Sequence, residues 1–249
     1  MSTPSRPAGP RRSADLRQRL AATQRSVGTA QAGDEADDSK LAPNRRNNIL
    51  QAAAQLFASR GFHGVSIRDV AEAAGVPLAL VGYYFGPKVE LYQQLYRERA
   101  GYVQVRLQAL AAAQANAPAG HLLDEIVKAF VLPAMTVAST PDGRNFLRLM
   151  SRGIHEQLSE DEAMVRQMFD PLAHAFIDAL HLALPQASRS TVAWCYQFAL
   201  GALLLNIVDQ RIERLSFGEN QPGDTESAGP VLVRFITEGM RGACGTPRH

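Results

Sequence analysis

The chain has 249 residues and a formal net charge of +2, a length that allows one or two compact domains with a substantial core. A balance so near neutrality means that any surface for nucleic acid must be a local patch. Two cysteines, Cys195 and Cys244, are too few for a disulfide framework and suit a reducing compartment. The early arginines flank no apolar core of secretory type. The greasiest run, FALGALLLNIV (198–208), is well short of the roughly 20 residues that cross a bilayer. A cytoplasmic protein without a membrane partner is expected.

Residues 1–43 are rich in Pro, Gly, Ser, Ala, Gln and Arg and poor in large apolar residues, so a disordered extension is expected. Arginines 6, 11, 12, 17, 19 and 25 precede an acidic run, Asp34, Glu35, Asp37 and Asp38. Such a basic segment can act as a minor-groove arm or be a plain extension. From Asn44, a plausible N-cap, Ile49, Ala53, Leu56 and Phe57 recur at helical spacing up to Gly61. Ser66 caps a second helix, with Asp69 three residues on as its capping-box partner, and Ile67, Val70, Ala71 and Ala74 form its inner face. Gly75 stops it; a short third helix over 78–84 ends at Gly86-Pro87.

A single long helix is predicted from Lys88 to about Ala115, then helices over 120–138, 142–157, 160–183, 187–216 and 229–242. Pro133 and Pro171 are expected to kink or split two of them. No stretch alternates like a strand, so the fold class is all-α.

The run VPLALVGYYFGPK (76–88) joins small residues, aromatics and a helix breaker, a composition that suits a helix with two tasks. Helix, tight glycine turn and short helix make helix-turn-helix geometry, whose second helix enters the major groove of DNA. Val76, Val81 and Phe85 then point inward. Leu78, Ala79, Gly82 and Tyr83 point outward, where small residues admit close approach and Leu78 can touch a thymine methyl. Lys88, at a helix start, and Arg45, before the first helix, are candidate phosphate ligands. Ser66, Arg68, Pro77 and Tyr84 complete the candidate DNA-contacting set.

Residues 49–92, ILQAAAQLFASRGFHGVSIRDVAEAAGVPLALVGYYFGPKVELY, resemble the DNA-binding domain of the TetR/AcrR family of one-component regulators. Ala53, Leu56, Phe57, Gly61, Phe62, Ser66, Val70, Ala71, Ala74, Gly75, Val76, Phe85, Lys88 and Leu91 all fall on that signature. The chain departs from it at Gly82, where the family often has tyrosine, and at Pro77, where it often has serine. The resemblance implies a three-helix DNA-binding domain over 44–92, a helical effector-binding and dimerisation domain over 93–243, and a tail over 244–249. It further implies a homodimer that binds a palindromic double-stranded operator and, as a repressor, leaves it when a small molecule binds. The alternative is a helical small-molecule-binding or enzymatic bundle with a degenerate helix-turn-helix.

Helix 187–216 is apolar on more than one face, as suits packing on both a core and a partner subunit, and with 229–242 it can form an intersubunit four-helix bundle. The effector-pocket candidates are bulky and soft: Phe130, Phe146, Met150, Met168, Phe169 and Trp194, with Met135 and Phe176 of the same kind. His155, His174 and Gln197, with Tyr196, are the polar candidates. Asp170, His174 and Asp178 recur one turn apart on a helix, but no H-E-x-x-H, phosphate loop or nucleophile motif accompanies them. No enzyme activity, metal or cofactor is expected.

Overall fold

The computed structural model describes residues 44–156 and 159–245, and every regular element among them is a helix. The chain divides into two compact units, Met1–Asn48 and Ile49–His249. The described part of the first is the opening turn of helix α1 (44–60). The early arginines and the acidic run lie outside the described residues.

In the second unit α1 continues into α2 (Ile67–Ala74), α3 (Leu78–Phe85) and α4 (Lys88–Arg97). Ile49, Ala53 and Phe57, each four apart, line one face of α1 and are fully buried with Val70, Val81 and Leu91 from the other three helices. Phe57, Phe62 and Tyr92 meet edge to face at 5.1 and 5.0 Å about the tyrosine, which closes this small core.

The remaining helices are α5 (Ala100–Asn116), α6 (Leu122–Ala138), α7 (Pro141–Glu156), α8 (Ser159–Ala183), α9 (Arg189–Val208), α10 (Ile212–Leu215) and α11 (Thr225–Cys244). Helix α6 packs on α5 and α11, and α9 on α7, α8 and α11. Their shared core holds Ile126, Phe130, Phe176, Val192 and Ile236. Helices α6 and α8 run through Pro133 and Pro171 without splitting.

Some boundaries differ from the sequence expectation, among them the start of α11, which lies at Thr225 rather than 229. The long helix predicted from Lys88 is two, because Arg99 leaves helical geometry at φ −110° and ψ 14°. Leu95 and Tyr102, a heptad apart, are both buried, so the apolar stripe stays in phase across the break and periodicity does not report it. Helix 187–216 ends early: Asp209 is extended, and its carboxylate accepts from the Arg211 amide at 2.9 Å and the Arg211 guanidinium at 2.7 Å. That i to i+2 pairing belongs to a turn and competes with helix continuation. Finally, α11 takes in Cys244, expected in the tail. Ile236, Met240 and Cys244 are buried one turn apart, and the Cys244 thiol lies 3.7 Å from that of Cys195.

Helix α9 is long and apolar enough to cross a bilayer by length and composition. Val192, Cys195, Tyr196, Ala199 and Leu203 bury one side of it in the protein core.

Candidate functional site

The helix-turn-helix is held by local bonds readable at each step. The Ser66 hydroxyl accepts the Asp69 amide at 3.1 Å and donates to Asp69 Oδ2 at 2.7 Å, while the Ser66 amide donates to the same oxygen at 2.7 Å. Those bonds from Ser66, with Arg60 and Arg68 nearby, hold the Asp69 carboxyl below its ordinary range. Ser66, a predicted DNA contact, therefore has its hydroxyl engaged in the cap. At the other end of α2, Gly75 adopts φ 64° and ψ 36°, the left-handed region that favours glycine, and the Val76 amide reaches back to the Ala71 carbonyl at 3.0 Å.

This turn presents α3 with one face in and one face out. Val81 and Phe85 are buried, whereas Leu78, Ala79 and Gly82 are exposed and Tyr83 exposes 81% of its surface. Tyr84 is half-buried, with its ring 5.3 Å from that of Tyr83. Pro77 precedes α3 without a side-chain cap. A Cβ built at Gly82 meets nothing within 4 Å, so the protein's own packing does not demand glycine there. Gly86, at φ 67°, and Pro87 turn the chain into α4. Lys88 is half-buried, its ammonium 4.2 Å from the centre of the Phe62 ring. A cation over an aromatic face keeps N–H groups free to turn outward. Arg68 is exposed on α2, and Arg45 is half-buried in the opening turn of α1.

The C-terminal helices bring together only part of the predicted pocket. Phe130 meets Phe176 at 5.3 Å and Tyr196 at 5.5 Å, all edge to face. Those rings, with Ile126, Leu180 and Met240, line a small cavity of about 10 Å³. Phe146 and Met150 are buried on α7, with Phe146 against Tyr102 at 5.6 Å, and Met168 and Phe169 are half-buried against the same core. His174, Trp194 and Gln197 do not join them: all three are exposed. In the first half of α9 the buried positions are Val192, Cys195, Tyr196 and Ala199, which turns Trp194 and Gln197 to the opposite side, where Trp194 stacks on Phe198 at 5.9 Å. His174 likewise falls between the buried Leu172 and Phe176. His155 lies in the last turn of α7, and its side chain is outside the described residues. A larger groove of about 550 Å³ runs along the outer ends of α9 and α11, walled by Leu205, Ile212, Val231 and Phe235.

Two arginines were not anticipated. Arg152 of α7 bonds the last turn of α1 from 94 positions away, and sequence spacing carries no sign of such a pair. Arg106 is buried on α5; its one readable sign is a charge in phase with Tyr102, Leu110 and Ala113 on the apolar stripe. Among the described residues no group of three or more His, Cys, Asp or Glu gathers to hold a metal ion. Asp178, one turn from His174, pairs with Arg189 at 2.6 Å.

A short exposed helix after a tight glycine turn, on a small helical head followed by a larger helical domain, defines an all-α helix-turn-helix protein. Residues 49–95 match the model for bacterial regulatory proteins of the tetR family, and residues 128–239 that for the tetracyclin repressor-like C-terminal domain. The chain belongs to the TetR family of transcriptional regulators. The HTH-type transcriptional repressor KstR2 of Rhodococcus jostii is 36% identical over 62 residues, 25% of this chain and 30% of its own. The chain thus spans less than a third of that relative's length. The HTH-type transcriptional regulator BetI of Brucella anthropi is 27% identical over 159 residues, 57% of this chain and 82% of its own. Among solved structures, the ketosteroid transcriptional regulator KstR2 of Mycobacterium tuberculosis superposes with a TM-score of 0.57 at 16% identity, covering 78% of this chain and 94% of that one. The regulator PfmR of Thermus thermophilus gives 0.55 at 20% identity, covering 82% and 98%. At such identities the likeness is one of fold.

Proposed function

We propose that the protein is a homodimeric, cytoplasmic repressor that binds a palindromic DNA operator through α3 and releases it when a small molecule enters the C-terminal helices. The observation that carries the reading is the outward face of α3. Leu78, Ala79, Gly82 and Tyr83 are exposed together, and Gly82 leaves a gap that the fold itself does not need. A helix that keeps its small and aromatic residues for an outside surface suits the floor of a major groove, where small residues let backbone and bases approach. Lys88, one turn past α3, and Arg68, on α2, flank that face with charge for phosphates.

Dimerisation is supported by the outer faces of α9 and α11. Trp194, Phe198 and Leu205 on α9 and Val231 and Phe235 on α11 are all exposed, a patch that a second copy would cover by forming a four-helix bundle. Gly201, on the same side of α9, admits close approach because nothing lies within 4 Å of its would-be Cβ. Two subunits joined there carry two reading helices, hence the palindrome.

The test is a gel shift on the DNA adjoining the protein's own gene. Specific, salt-sensitive binding that disappears with Tyr83→Ala and Lys88→Ala supports the reading. Failure to bind any fragment above competitor level in low salt removes it.

A further inference from the structure

Helix α5 carries a charge into the interior. Arg106 lies on the buried stripe of the helix between Tyr102 and Leu110 and exposes 3% of its surface. A guanidinium cannot shed its proton in a protein, so the positive charge is permanent. One terminal N–H donates to the Phe130 carbonyl at 3.0 Å. The Nε–H is buried with no partner. No carboxylate among the described residues pairs with it. The rings of Phe130, Phe176 and Tyr102 stand 4.7, 5.3 and 5.5 Å from the guanidinium carbon. Their faces offset part of the desolvation cost and no more than part.

A purely structural task explains one of these contacts. Pro133 withholds a donor from the carbonyl of Ala129, four residues back on α6, and Arg106 binds the neighbouring carbonyl of Phe130. It leaves the buried Nε–H and the uncompensated charge without a purpose, and a methionine would pack among three rings at less cost.

Phe130 and Phe176, which flank the guanidinium, also wall the interior cavity. Tyr196 stands across it, and burial pushes its phenol up, an effect that Arg106 opposes and Tyr102 and the Asp170 carboxylate reinforce. At about 10 Å³ the cavity takes no more than a water-sized guest as it stands, so anything larger has to part α6, α8, α9 and α11, and to reach Arg106 it has to pass between Phe130 and Phe176. We propose that Arg106 is the anchor of an anionic effector: a single carboxylate on an apolar body. The unpartnered N–H takes the carboxylate, and the body lies among Ile126, Phe130, Phe176, Leu180 and Met240. A singly charged group matches one guanidinium, whereas a dianionic phosphate would leave a buried negative excess. The inference rests on the regulator reading only in calling the ligand an effector.

The test uses the full chain, with straight-chain carboxylates from butanoate to dodecanoate and the primary amides of the same lengths as probes. Thermal shift finds the chain length that binds, and calorimetry gives its affinity. At least one carboxylate should bind about 10- to 100-fold more tightly than its amide, the range of a hydrogen bond to a charged group. Arg106→Met should bring the carboxylate down to the amide's affinity and leave the amide unchanged, while Arg106→Lys keeps part of the preference. A structural role alone would not move that ratio. Equal binding of acid and amide, binding of neither, or a preference that survives Arg106→Met overturns the proposal. Should Arg106→Met not fold, the wild-type ratio and Arg106→Lys still decide. Operator binding by the unliganded wild type, read alongside, separates the two ideas. DNA binding without carboxylate preference defeats only this inference; carboxylate preference without DNA binding defeats only the regulator reading.

Discussion

The Nε–H of Arg152, near the end of α7, donates to the carbonyl of Ala58 at 2.9 Å, and its terminal nitrogen donates to the carbonyl of Ser59 at 3.0 Å. These carbonyls lie in the last turn of α1, where helix carbonyls lack amide partners and carry the negative end of the dipole. One guanidinium thus joins the C-terminal helices to α1, the helix that precedes the helix-turn-helix. Arg152→Ala should lower stability in chemical denaturation by about 1–2 kcal/mol. It should also weaken the effect of effector on operator affinity more than it weakens operator binding itself. Titration of operator with and without effector, for both proteins, measures that difference; an unchanged ratio would show that the coupling runs elsewhere.

Gly82 separates the needs of the fold from those of the interface. Nothing lies within 4 Å of a Cβ at that position, so Gly82→Ala should leave stability unchanged or raise it by up to about 1 kcal/mol through helix propensity. Operator affinity should fall all the same. Tyr83→Ala should alter preference among operator sequences by about 1–3 kcal/mol per lost base contact. Lys88→Ala should weaken all sequences about equally and reduce the salt slope by about one unit. Melting curves beside binding isotherms at several salt concentrations check all three.

The face shared by α9 and α11 should hold the dimer together. Phe198, stacked on Trp194 and 67% exposed in the single chain, is free to change without disturbing the core. Phe198→Asp should yield a monomer with unchanged helix content by circular dichroism. Light scattering at micromolar concentration reads the result, and a variant that stays dimeric would place the interface on another surface.

Asp209 gives a pH dependence. Its bonds from the Arg211 guanidinium and amide pull the carboxyl from 3.8 to about 2. A carboxylate depressed on folding adds stability that is full above the unfolded value and is lost as pH falls through the folded one. Asp209→Asn should therefore melt below wild type by a constant amount from neutrality down to pH 3.8, with the gap closing as pH approaches about 2. A gap that closes near pH 6 would point to a histidine instead.

Much of this architecture is legible residue by residue. The Ser66–Asp69 cap, the left-handed Gly75 and the division of α3 into Val81 and Phe85 inside against Leu78 and Tyr83 outside all follow from local rules and appear as expected. Local rules run out where the decisive partner is distant. The break at Arg99 has no glycine or proline and leaves the apolar stripe in phase. Trp194 is bulky enough for a pocket, and only the neighbours of α9 show that Val192, Cys195 and Tyr196 are the residues facing inward. Arg106 stands out as a charge on an apolar stripe, yet its lack of a carboxylate is visible only once α6 and α8 are in place around it.

The central claim is that α3 reads DNA, and the most direct measurement is fluorescence anisotropy of the DNA adjoining the gene, titrated with wild type and with the Tyr83→Ala, Lys88→Ala double variant. The account predicts saturable binding by the wild type that weakens steeply with salt and resists nonspecific competitor, and its loss in the double variant with the melting temperature preserved. Equal binding by the two proteins, or no binding by the wild type at low salt, would contradict it.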